Sequence, residues 1–223
     1  MPRTIVIGDI HGCYDELVSL LEKARLNPHD RVVAVGDLIV KGRKNIEVLD
    51  LFSSDKRFSS VIGNHDLAIL KFWKGQNSDL TDSQKRTAIE LESERERYTN
   101  YLSSLPFVID LGSHVVVHAG VRPGVPLHEQ APEDLTELRT LGADRTSKNG
   151  VPWYEVYDDD KVVLFGHWPS PIPRRTRRAI GLDTGCVYGN QLTAYILDTA
   201  EFVQVAAKQV YETPKTSFGR TTQ

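Results

Sequence analysis

Cysteine, long apolar runs and an excess of either charge are all scarce in this sequence, and each scarcity excludes something. Two cysteines, Cys13 and Cys186, in 223 residues cannot build a disulfide scaffold. They read as reduced, buried thiols of a cytoplasmic protein. No apolar run approaches the roughly 18–20 residues of a membrane span, so no membrane partner is expected. No leader is expected ahead of the first motif, which begins at Gly8. Lys+Arg total 27 against 30 Asp+Glu, a net charge of −3, so strong nucleic-acid binding is not expected either. Repeats and low-complexity segments are absent. The rest of the composition, 40% hydrophobic and 26% charged, is that of an ordinary globular chain long enough for one sizeable core.

The order of short apolar runs gives the architecture. Thr4–Ile7, Arg31–Val35 and Phe58–Ile62 each lead into a Gly and a polar residue, and their continuous β-branched character predicts strands buried on both faces. Between them, Tyr14–Leu26 and Lys44–Phe52 carry apolar residues at helical spacing. This is a βαβαβ opening, and it implies a parallel sheet. Ser83–Ser103, rich in Glu, Lys, Arg and Leu, predicts a helix stopped by Pro106, within an insertion over about 76–105. Phe107–Leu111 and His114–His118 around Gly112-Ser113 predict a hairpin. Further strands are expected at Lys161–Phe165, Arg178–Leu182, Leu192–Leu197 and Phe202–Ala207. One domain is expected over 1–211, with 212–223 as a flexible tail.

Chemistry concentrates where the predicted strands end. Gly-Asp-Ile-His-Gly (8–12), Gly-Asp-Leu-Ile-Val-Lys-Gly (36–42) and Gly-Asn-His-Asp (63–66) follow the first three strands, where open α/β sheets bind ligands. Asp9 and His11 are two apart and would share a face if the strand continued. His118 and His167 follow later β-branched runs. Two Asp, one Asn and three His form a mixed oxygen and imidazole set that suits manganese, iron, nickel or zinc better than calcium or magnesium. Six ligands are too many for one tetrahedral zinc. They suit two cations about 3.5–4 Å apart.

With these motifs, the chain resembles the metallophosphoesterase superfamily, specifically its phosphoprotein-phosphatase (PPP) group. The stretches 117–127 and 182–189, together with Lys41 where protein phosphatases carry Arg, are similar to the ApaH-like, symmetrical diadenosine tetraphosphatase and bacterial phosphatase branch. The resemblance implies an α/β sandwich of two mixed β-sheets flanked by helices. It assigns Asp9, His11 and Asp37 to one metal, with Asp37 bridging, and Asn64, His118 and His167 to the second. The expected cofactors are two divalent ions, manganese first, with iron, zinc, nickel or cobalt as alternatives. The implied reaction is hydrolysis of a phosphoanhydride such as diadenosine tetraphosphate or polyphosphate by a water activated between the metals. The alternative is a serine/threonine phosphoprotein phosphatase of the bacterial type. The partner is accordingly a phosphorylated small molecule or a phosphoprotein.

The same resemblance places His65 and Asp66 in catalysis beside Lys41 and Arg139. It gives Asn64, Lys41, Arg139 and Arg43 a part in substrate binding, since a guanidinium matches phosphate bidentately and an ammonium acts as a point charge. Protein phosphatases read Gly-Asp-x-x-Asp-Arg-Gly where this chain has Val40, so His65 lacks its usual carboxylate partner. A weaker acid suits a leaving group of low basicity, and Asp66 is the candidate substitute. Arg174, Arg175, Arg177 and Arg178 are read as a solvated basic loop, with a polyanion groove as the alternative. Trp168 is the one tryptophan placed to stack on a base.

Overall fold

The computed structural model describes residues 2–214. In chain order its elements are β1 (Thr4–Ile7), α1 (Tyr14–Lys23), β2 (Arg31–Ala34), α2 (Asn45–Ser54), β3 (Phe58–Ser60), α3 (Asn64–Trp73), α4 (Asp82–Glu90) and α5 (Arg95–Ser104). There follow β4 (Val108–Asp110), β5 (His114–Val117), α6 (Pro132–Glu137), β6 (Thr140–Leu141), β7 (Val151–Pro152) and α7 (Trp153–Val156). The chain continues through β8 (Val162–Phe165), β9 (Arg174–Arg175), β10 (Ala179–Gly181), β11 (Gln191–Ile196) and β12 (Glu201–Ala206).

Two five-stranded mixed sheets result, ordered β12-β11-β1-β2-β3 and β4-β5-β8-β10-β9. The predicted parallel unit is present, with β1 against β2 and β2 against β3. The Gly112-Ser113 hairpin pairs β4 with β5, and β11 pairs with β12 antiparallel. Alternation along each strand decides which layer a side chain fills. Val6, Val33 and Val35 face inward to meet Val116, Leu164 and Ile180 of the second sheet. Their neighbours Ile5, Ile7, Val32 and Ala34 face the other way and pack under α1 and α2. On the far side, Val115, Val117, Val163 and Phe165 pack around Trp153. Strands buried on both faces need β-branched residues at every position, so these runs read as continuous rather than alternating.

Three expectations change. The helix expected over Ser83–Ser103 is two helices, α4 and α5, broken at a short 3₁₀ turn over Glu92–Glu94. Arg174–Arg175 forms an edge strand that its charge had hidden. Asp9 and His11 lie beyond the end of β1 rather than on a continuing strand, and His11 turns back with φ 50°. Of the expected tail, Glu212 pairs with Arg86 on α4 at 3.2 Å, while 215–223 lie outside the described residues. Among the described residues no helix is long and apolar enough to cross a membrane.

Candidate metal centre

Each candidate ligand sits on the loop that follows a strand's carboxyl end or on the helix after it. Asp9 and His11 follow β1, Asp37 follows β2, Asn64 and His65 open α3 beyond β3, His118 follows β5 and His167 follows β8. Since β1, β2, β3 and β5, β8 run parallel within their sheets, their ends gather on one edge of the sandwich. All six expected ligands converge there. Asp37 Oδ2 lies 3.5 Å from His11 Nε2 and 3.5 Å from His118 Nε2, between the two halves of the set. Asn64 Oδ1 lies 2.9 Å from both His118 Nε2 and His167 Nδ1. The two carboxylate oxygens of Asp9 accept from the His167 backbone N–H at 3.1 Å.

The imidazoles are oriented as ligands need. His11 Nδ1 donates to the Ile39 carbonyl (3.1 Å) and His118 Nδ1 to the Val35 carbonyl (2.8 Å). A carbonyl can only accept, so in each neutral ring the proton is on Nδ1 and the Nε2 lone pair faces the centre. Burial, the largest cause, pushes His11, His65 and His167 well below the usual histidine range and His118 down to about 4. The His118 lone pair thus meets the Asn64 oxygen with no proton between them.

Three carboxylates face the same region. Burial, then Asp183 and Asp37, raises Asp9 well above the carboxylate range; burial lifts Asp37 to about 6 and raises Asp183 as well. Such a group of buried acceptors is balanced by protons or by bound cations. Lys41 Nζ answers that demand in part by donating to His11 Nε2 at 3.0 Å. The donor set therefore fits divalent metal ions by charge, tautomer and ligand type. Its tightness also depends on glycine. A Cβ on Gly166 would stand 1.9 Å from Asp9 Oδ1, and one on Gly63 would stand 2.2 Å from Asp37 Oδ1.

The other expected site residues separate into two groups. Lys41, His65 and Arg139 line a cavity of about 730 Å³ together with Asn64 and His167. Arg139 donates to the Thr146 carbonyl at 3.0 Å, and its buried Nε has no partner among the described residues. Burial lowers its pKa from the guanidinium value. Asp66, in contrast, is fully buried and turned away: its carboxylate accepts from the backbone N–H groups of Leu38 (3.3 Å), Ile39 (3.3 Å) and Gly63 (3.0 Å). Asp66 does not line the cavity, and these bonds hold the Asp37 loop. Arg43 is exposed and is not among the residues that line the cavity.

The basic run divides. Arg174 enters the cavity, donates to the Trp168 carbonyl and lies 5.1 Å from the Trp168 ring centroid. Arg177 and Arg178 lie against Asp158 of the 158–160 loop, with Arg178 also donating to the Asp160 carbonyl. Sequence reasoning missed Asp183, Tyr188 and the α4 residues Ser83 and Gln84. Asp183 had a signal, since it follows β10 as the other aspartates follow β1 and β2. The α4 residues had none, because they lie on a polar helix with no motif.

The profile of the calcineurin-like phosphoesterase family matches residues 2–200. A Bacillus subtilis bis(5′-nucleosyl)-tetraphosphatase (PrpE, asymmetrical) is 30% identical over 93% of this chain and 96% of its own length. A symmetrical bis(5′-nucleosyl)-tetraphosphatase of Vibrio parahaemolyticus is 30% identical over 85% of this chain and 93% of its own. A crystal structure described as a candidate diadenosine tetraphosphatase superposes with a TM-score of 0.80 at 31% identity, covering 93% of this chain and 96% of that one. A Saccharomyces cerevisiae serine/threonine phosphatase shares the fold at 14% identity, with a TM-score of 0.65 over 96% of this chain and 82% of its own.

Proposed function

This chain belongs to the calcineurin-like phosphoesterase family, hydrolases that work with a dinuclear divalent metal centre, and from that membership we propose that it cleaves the phosphoanhydride chain of bis(5′-nucleosyl) tetraphosphates. The observation that carries the proposal is the meeting of two neutral-imidazole and carboxylate half-sites at Asp37, on the floor of a cavity of about 730 Å³. That volume suits a ligand of nucleotide size. A second hollow of about 230 Å³ adjoins it through Ser170, Pro171 and Tyr188, which favours a long substrate over a single phosphate.

In this reading Asp9, His11 and Asp37 hold one cation, and Asp37, Asn64, His118 and His167 hold the other. Mixed oxygen and nitrogen donors suit manganese, iron, nickel or zinc, and manganese is the ion proposed. When bound, the two ions supply an activated water and neutralise the phosphoryl oxygens. Arg139 and Lys41, both on the cavity wall, bind the outer phosphoryl oxygens. His65 donates a hydrogen bond toward the leaving oxygen. Tyr188 lies beneath the Lys41 ammonium, 5.3 Å from ring centroid to Nζ, and holds it at the cavity wall.

The domain assignment belongs to the same proposal: one catalytic unit over 1–211, with the 76–105 insertion serving as a cavity wall through Thr81 and Ser83. A cytoplasmic setting is supported by the two buried, free thiols. The test is turnover of the manganese-loaded protein on diadenosine tetraphosphate, inorganic polyphosphate, capped RNA and a phosphoserine peptide. Preference for the tetraphosphate is expected. ADP alone, or ATP with AMP, identifies which anhydride is cut. A clear preference for the phosphopeptide overturns the proposal.

A further inference from the structure

We infer that Gln84, on the inserted helix α4, is a positioning residue for His65: it holds the ring as the tautomer protonated on Nε2 and so takes the place of the carboxylate that Val40 cannot provide. The inference starts from a helix cap. Thr81 is the N-cap of α4 and Gln84 its third residue, and the two form a reciprocal box. The Thr81 backbone N–H donates to Gln84 Oε1 at 2.9 Å, and the Gln84 backbone N–H reaches Thr81 Oγ1 at 3.4 Å. Gln84 is 7% exposed.

The cap decides which way the amide faces. Its oxygen must meet the Thr81 N–H, because the reverse orientation would set an NH₂ group against a backbone donor. The amide nitrogen therefore points to His65 Nδ1, at 3.3 Å. An amide nitrogen only donates, so Nδ1 must accept, and the proton of the neutral ring sits on Nε2. His65 lines the cavity and packs edge to face on His11, with ring centroids 5.2 Å apart. A ring nitrogen of His65 lies within 4.8 Å of ligand atoms of His11 and Asp37. In the substrate reading above, the N–H so fixed is the donor offered to the phosphoryl group.

This polarity is opposite to that of a carboxylate–histidine pair. A carboxylate accepts from Nδ1–H and favours the imidazolium, which suits protonation of a basic alkoxide. An amide donating into Nδ1 favours a neutral hydrogen-bond donor, sufficient for a phosphate leaving group of low basicity. Val40 and Gln84 are then two parts of one device for anhydrides, a conclusion that rests on the substrate reading above.

Gln84→Glu isolates the effect. Glutamate keeps an oxygen for the Thr81 N–H, so the cap survives, but it offers an acceptor to Nδ1. Nitrogen-15 spectra of the zinc-loaded protein, with His65 assigned by comparison with His65→Asn, are expected to show Nε2–H and bare Nδ1 in the wild type and a protonated Nδ1 in the variant. The ratio of kcat on a phosphoserine peptide to kcat on diadenosine tetraphosphate should rise about tenfold, a fraction of the roughly 10²–10⁴-fold that full general acid assistance supplies. The KM for the tetraphosphate and the melting temperature should hold. A wild-type His65 protonated on Nδ1, or an unmoved kcat ratio in a stably folded variant, overturns the inference. If the wild type does not cleave the tetraphosphate, the substrate reading fails while the spectra still decide the tautomer.

Discussion

Replacing Gly166 with alanine adds one carbon at the point where the two half-sites touch, and the structure gives the size of the disturbance. The new Cβ would lie 1.9 Å from Asp9 Oδ1, 3.0 Å from Asp9 Cγ and 2.6 Å from Val35 Cγ2, whereas folded proteins essentially never show such contacts under 3.0 Å. Val35 is wholly buried between the sheets and cannot withdraw. Either the Asp9 carboxylate rotates out by about an ångström or the 166–167 segment moves, and that segment carries His167. Both routes displace a proposed metal ligand, one from each half-site, and metal ligation tolerates only about 0.2 Å. Overpacking of this kind costs about 1–3 kcal/mol, which lowers the melting temperature by about 2–4 °C per kcal/mol in a domain of this size. Metal affinity should fall further, by about 10–100-fold as for loss of a ligand's supporting group. The assay is metal content by mass spectrometry after equilibration against graded free manganese, with calorimetry on the same samples. Two tightly held ions per chain in Gly166→Ala, at wild-type affinity, would refute both the ligand assignment and the steric argument.

Arg139→Ala removes a guanidinium that lines the cavity while leaving every proposed metal ligand in place. A bond to a charged group is worth about 1.5–3 kcal/mol, so KM on the tetraphosphate should rise by about 10–100-fold with unchanged metal content; loss of the metals would assign Arg139 a structural task instead. Asp66→Ala takes the acceptors from three backbone N–H groups around the Asp37 loop, at about 3 kcal/mol or more. Its denaturation midpoint should drop, and lost turnover at unchanged stability would restore a chemical role for Asp66. Asp30 tests pH dependence: burial alone would raise its pKa, but the Arg3 guanidinium and the backbone N–H groups of Arg3 and Asn27 outweigh it and hold the carboxyl well below the usual range. A depressed acid stabilises above its unfolded pKa of about 3.9 and loses that stability as pH falls toward the folded pKa. Asp30→Asn should therefore be less stable than wild type at pH 7 with the gap narrowing below pH 4, and a gap that stays constant with pH would refute the assignment.

How much of this was legible in the sequence depended on the range of the interaction involved. The six residues proposed as ligands, which the fold brings to one edge, were visible because each follows a β-branched run, and a strand's carboxyl end is a local feature. Val6 and Ile5 could not be sorted to opposite layers from their run, because both faces are apolar, yet the strand itself was plain. His65 and Asp66 show the limit of adjacency. Neighbours on the first turn of α3 project about 100° apart, so Asp66 meets the backbone of 38–39 while His65 meets the cavity. The true partner of His65 is Gln84, 19 residues on and across a loop, and the polar composition of 76–105 concealed it. Arg174 and Arg178 separate for a related reason. Arg174 lies on the edge strand β9, with its side chain stacked on Trp168, and Arg178 is bonded to the 158–160 loop. A run of like charge in sequence was not a patch in space.

The backbone records where the conformational cost of the centre was placed. Of the seven non-glycine residues with positive φ among those described, five lie in its loops: His11, Asp37, Val40, Lys41 and His167. A left-handed conformation costs an L-residue roughly 1–2 kcal/mol, and more for β-branched Val40 at φ 77°. The reason is geometric, because a strand delivers its next side chain along its own axis and a ligand must turn back toward a shared point. Backbone bonds from the first loop to the second hold these turns: Ile10 and His11 donate to the Asp37 carbonyl, and Gly12 donates to the Leu38 carbonyl. Asp66 clamps the same loop from beneath, and Asn45 Oδ1 takes the Val40 N–H at 2.9 Å. Strain in these loops is thus countered by bonds one layer out, which hold the proposed ligands in place. A site assembled this way loses little on binding, and its weak points are the outer residues Asp66, Asn45 and Gly166 rather than the ligands alone.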